Sequence, residues 1–96
     1  MEVTQAQLDA HWMPFTGNRQ FKKDPRMIHA ADGRYFKDAD GRKVFDGLSG
    51  LWTCGLGHNV TRINEAITSQ LSTLDMSPSF QFGHPKSFQL AERITD

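Results

Sequence analysis

Two Asp-Gly pairs, Asp32-Gly33 and Asp40-Gly41, stand between three short runs of strand-forming residues, and this punctuation constrains the fold more than anything else in the chain. The runs are Met27-Ile28-His29-Ala30, Tyr35-Phe36-Lys37 and Lys43-Val44-Phe45. Asp-Gly supplies the positive φ that tight hairpin turns require, so an antiparallel β-meander is predicted over residues 26–46. The repeated Asp-Gly-Arg at 32–34 and 40–42 is explained by one turn chemistry used twice. Asp38, Asp40 and Asp46 also invite a calcium-loop reading, which fails because the glycine falls at the wrong position for that loop.

Around the meander the signals are helical or irregular. Thr4 can cap a short helix over 4–12, with Leu8 and Trp12 on one face. Pro14 and Gly17 then break it, and residues 13–25 read as an arm with little regular structure. Residues 47–59 form a glycine-rich loop around Trp52. Val60, Ile63, Ile67, Leu71 and Leu74 recur at helical spacing, predicting a helix over 60–75 with Asn59 or Thr61 as cap. Residues 76–85 form an aromatic, proline-bearing loop that carries Phe80 and Phe82 on either side of Gln81. A last helix begins near Lys86, with Leu90, Ala91 and Ile94 on one stripe and no stop signal before Asp96. The pattern reads as interrupted there.

Composition removes several function classes. Eleven basic and eleven acidic residues cancel and are interspersed, so no nucleic-acid partner is expected. No apolar run approaches a membrane span, and residues 1–5 lack the apolar core of an export signal, which points to the cytoplasm. Only 38% of the 96 residues are hydrophobic, mean hydropathy is −0.54, and the single Cys54 excludes an internal disulfide. An independent core therefore has little material. Cys54 and His58, four apart, form one mixed pair where structural zinc sites show two, so no metal is expected.

The loop from Gly47 to Gly57 leads into a helix and so invites a phosphate cradle. Gly55-Leu56-Gly57 lacks the third glycine of a dinucleotide fingerprint, and no Gly-Lys-Ser/Thr follows. Taken alone, these glycines permit tight turns and close packing. Trp52 within the loop is either a core plug or a rigid pocket wall. Phe80 and Phe82 either pack on the preceding helix or edge an interface. Lys22, Lys23, Lys37, Lys43 and Lys86 all have polar or charged neighbours, unlike a desolvated Schiff-base lysine. No catalytic residue is therefore assigned within these residues.

Trp12-Met13-Pro14-Phe15-Thr16, Asp40-Gly41-Arg42-Lys43-Val44-Phe45-Asp46, the segment from Leu48 to His58, and Phe80-Gln81-Phe82-Gly83-His84-Pro85 closely resemble the class III aminotransferases. Within that class the chain is most similar to the omega-amino acid:pyruvate, or β-alanine:pyruvate, transaminases, from about His11 to Asp96. The resemblance implies an α/β fold, the type I pyridoxal-phosphate fold, whose N-terminal part is α+β: arm, small antiparallel meander and two helices. It implies a homodimer with active sites at the subunit interface, pyridoxal 5′-phosphate as cofactor, and an amine or amino acid and a keto acid as substrates. Trp52 and Leu51 would line the substrate pocket, Phe15 would close it from the arm, and Phe80 would reach the neighbouring subunit's site. The family's Schiff-base lysine and the large cofactor domain are expected downstream, so these 96 residues alone are expected to be inactive. The contrasting reading is a stand-alone binding module derived from that family, using its aromatic loops to hold a partner.

Overall fold

A computed structural model describes residues 2–95, which divide into two units between Val60 and Thr61. The first unit opens with helix α1, Gln5–Ala10. Thr4 Oγ1 accepts the Gln7 N–H at 3.2 Å and Gln7 Oε1 accepts the Thr4 N–H at 2.9 Å, a reciprocal cap that satisfies two helix-end donors. Trp12 lies beyond the helix and is 78% exposed.

The arm departs from its expectation. Residues 13–25 contain a second helix, α2, Asn18–Lys23. The sequence hid it because six residues with one apolar side chain, Phe21, carry no helical period. Its start is set by Asn18, the only buried residue among those described. Asn18 Oδ1 accepts the Met13 N–H at 2.8 Å, while Nδ2 donates to the carbonyls of Met13 at 2.9 Å and Thr16 at 3.0 Å. Lys22 and Lys23 fall in the last turn, where positive charge suits the helix dipole.

The sheet has three antiparallel strands in the order β1-β2-β3: Ile28–Asp32, Tyr35–Asp38 and Lys43–Phe45. Asp32 pairs with Tyr35, so the first turn is Gly33-Arg34, with Gly33 at φ 57°. The second connection carries Gly41 at φ 79°, and its shape is held by Asp38. The Asp38 carboxylate accepts the Asp40 and Arg42 amides at 3.0 and 2.8 Å and pairs with the Arg42 guanidinium at 2.9 Å. On one sheet face Tyr35 and Phe45 meet edge to face at 5.8 Å, and Lys43 lies over the Tyr35 ring.

Beyond β3 the chain makes one irregular turn, α3, Ser49–Trp52, in which Gly50 and Leu51 leave helical geometry. It then returns to the sheet. His58 pairs with Gly33 through both backbone hydrogen bonds, at 2.7 and 3.1 Å. A Cβ on Gly57, at φ 92°, would sit 3.1 Å from the Gly33 carbonyl oxygen. This glycine is therefore required by both backbone angle and close approach.

The second unit holds α4, Thr61–Thr73, and α5, Pro85–Thr95. Val60 precedes α4, and the Asn59 side-chain amide donates to the Ala31 carbonyl. The expected stripes are present but uncovered: Ile63, Ile67, Leu71, Leu90 and Ile94 are all exposed. Gln81, at φ 64°, turns the chain between Phe80 and Phe82, so their spacing is not that of an extended strand. Among the described residues no hydrophobic side chain is buried, and no helix is long and apolar enough to cross a membrane.

Three substitutions, one of them a control, test which contacts hold the first unit. In the full-length polypeptide carrying these residues, Gly57→Ala should cost about 1–3 kcal/mol of unfolding free energy, against about 0.5 or less for Gly55→Ala, where the backbone is unstrained and space is open. Asn18→Ala strips three hydrogen bonds and should cost roughly 1–3 kcal/mol. Denaturant titration reads all three.

Candidate functional site

The loop that follows β3 is organised by one carboxylate. Asp46 Oδ1 accepts the Leu48 N–H at 3.2 Å; Oδ2 accepts the Gly50 N–H at 2.7 Å and lies 2.6 Å from His58 Nε2. The two side chains are 5% and 14% exposed, although no hydrophobic residue among those described is buried. The imidazole also rests against Phe36, ring centroids 4.6 Å apart. Asp46 and His58, together with Arg34, Phe45, Ser49 and Cys54, line a cavity of about 260 Å³.

This geometry answers the phosphate-cradle question. The amides of Leu48 and Gly50, the donors such a cradle would need, already point at a carboxylate. An anion brought there would meet Asp46's negative charge, so the loop does not fit a phosphate group. The five lysines give no alternative anchor: none is buried.

The residues singled out from sequence are placed as follows. Trp52 is 82% exposed and Leu51 69%, on the outside of the loop. Phe15, exposed over its whole surface, borders a different cavity of about 540 Å³ with Thr16, Gln20, Phe21 and Arg26. Phe80 lies in the second unit and is 85% exposed. Trp52 and Phe15 do share one property: both have positive φ, 64° and 49°, a conformation uncommon for bulky residues. A polar side chain bonds the backbone nearby in each case, Asp46 to the Gly50 amide and Asn18 to the Met13 amide.

Sequence reading passed over the Asp46–His58 pair. In sequence Asp46 stands among the acids of a calcium-loop pattern and His58 stands beside Cys54. A partial signal was available, since an Asp accepting from the N–H two residues on is a common local turn and Asp46-Gly47-Leu48 suits it.

His58, then the Gly50 and Leu48 amides, hold the Asp46 carboxyl below its ordinary value of 3.8. A carboxylate depressed in the folded state contributes stability above its unfolded pKa and loses it as pH falls through the folded one. The loop clamp should therefore be intact above about pH 4 and weaken below it. In acid denaturation of the full-length polypeptide, Asp46→Asn should flatten the acid limb relative to wild type.

Residues 16–96 match the family described as Aminotransferase class-III. The omega-amino acid–pyruvate aminotransferase of Pseudomonas putida is 64% identical over 94 residues, covering 98% of this chain and 21% of that protein. The beta-alanine–pyruvate aminotransferase of Pseudomonas aeruginosa is 64% identical over 87 residues, covering 91% of this chain and 19% of that one. Among solved structures, a Pseudomonas jessenii omega transaminase in complex with PMP superposes with a TM-score of 0.87 at 26% identity, covering 98% of this chain and 21% of the other. An amine transaminase from an uncultivated Pseudomonas species, in its PLP-bound form, gives 0.80 at 36% identity over 88% of this chain and 20% of that one. The chain spans about a fifth of the length of these relatives. On that match, the chain belongs to the class III aminotransferase family.

Proposed function

We propose that these residues form the N-terminal part of a pyridoxal-phosphate-dependent transaminase that moves an amino group from an omega-amino acid or amine to pyruvate. The observation that carries the reading is the 64% identity, over nearly the whole chain, to an omega-amino acid–pyruvate aminotransferase. When bound, pyridoxal phosphate supplies the electron sink for such chemistry. The residues present here do not fit the cofactor itself, for the reasons of charge and lysine exposure given above, so its holders belong elsewhere in the polypeptide. This chain's contribution is to shape the substrate pocket.

In that role Trp52 and Leu51 form one wall and Phe15 approaches from the arm. Phe80 reaches the site of a second subunit in a homodimer. The support is physical: rigid aromatic groups on tethered loops offer binding surface at low entropy cost, and their exposure leaves them free to meet the remainder of the polypeptide. The apolar stripes of α4 and α5 are assigned the same kind of covering. The cytoplasm is the proposed compartment.

The full-length polypeptide, supplied with pyridoxal phosphate, should form alanine from pyruvate with β-alanine or a primary amine as donor. Trp52→Ala should raise KM for the donor by about tenfold. The 96 residues alone should form no alanine. If the full-length protein forms none with any such donor, the transaminase reading fails and the aromatic loops are binding surfaces of another kind.

A further inference from the structure

The loop between Asp46 and His58 holds a conformation that its own packing does not explain. Ser49 and Trp52 are at φ 53° and 64°, and Gly50 is at φ 70°. Non-glycine residues in this region persist only where surrounding contacts over-determine them. Within these residues Leu48, Leu51 and Trp52 are all more than half exposed, so no apolar burial among them compensates. The contacts that remain are polar and converge on one side chain.

We infer that Asp46 and His58 are positioning residues that set the backbone of the Trp52 loop. The chain of contact is continuous. Gly33 fixes the His58 backbone from the hairpin tip, and Phe36 bears on its imidazole. His58 Nε2 donates to Asp46 Oδ2, which leaves that carboxylate aimed at the Leu48 and Gly50 amides. Those amides start the turn in which the Trp52 N–H donates to the Leu48 carbonyl at 3.1 Å and the Thr53 and Cys54 amides donate to Ser49 at 3.0 and 2.9 Å. Charge-assisted bonds of this kind are stronger than neutral ones, and a twelve-residue span joined at both ends leaves little freedom between. His58 thus acts on Trp52 through Asp46, without touching it. The effect on substrate binding rests on the transaminase reading above; the effect on Trp52 itself does not.

The test uses the full-length polypeptide with fluorotryptophan incorporated, the Trp52 resonance being assigned by its loss in Trp52→Phe. His58→Ala and Asp46→Asn should shift or broaden that resonance. His58→Gln, whose amide nitrogen can stand near the position of Nε2, should restore it. In donor kinetics the first two variants should raise KM by about tenfold with kcat within about threefold, and His58→Gln should recover KM. An unchanged Trp52 resonance in His58→Ala overturns the inference, as does a change that His58→Gln leaves unrelieved or a loss confined to kcat. If Asp46→Asn does not fold, the two His58 variants decide the matter. If the wild-type protein transfers no amino group, the transaminase reading falls while the fluorine resonance still decides the clamp.

Discussion

The short contact between His58 Nε2 and Asp46 Oδ2 ties the end of β3 to the end of the loop that follows it. Its importance comes from what surrounds it. In most domains a loop of this length is held because its apolar residues sink into a core, and hydrophobic area does the work. Among the described residues no hydrophobic side chain is buried, and the contacts they supply to the loop are directional bonds. A carboxylate accepting two backbone amides and an imidazole suits that role, since each donor fixes a direction as well as a distance.

The arm repeats the principle with a neutral group. Asn18 gathers both backbone groups of Met13 and the carbonyl of Thr16, closing a turn that places Phe15 at positive φ. In both places a small polar side chain shapes the backbone and a large aromatic one is displayed outward. Trp52 and Phe15 are the two aromatic residues so displayed, at 82% exposed and fully exposed.

How much of this was legible in the sequence follows from the range of each interaction. The meander was readable because its turns are local: Gly33 and Gly41 declare themselves within a few residues of the strands they join. Helices α4 and α5 were readable because their apolar period is long enough to count. Helix α2 was not, because it is a single short stretch whose start depends on Asn18 bonding back five residues to Met13. Asp46 and His58 belong to separate sequence patterns, the acids of the second turn and the Cys54 neighbourhood. Nothing in a twelve-residue separation says that two side chains meet; the sheet had to bring Gly33 to His58 first.

By itself, then, the sequence determined the order of elements, the places where the backbone must turn, the scarcity of core material and, through its motifs, the family. These depend on local propensity, periodicity and residue identity, all of which act within a few positions. Only the tertiary structure decided that the glycine-rich loop is filled by its own carboxylate and that Gly57 must stay a glycine. It also decided that Trp52 and Phe15 both stand at positive φ. Those outcomes depend on groups far apart in the chain being brought within hydrogen-bonding distance, and that is settled by how the hairpin folds back on the loop.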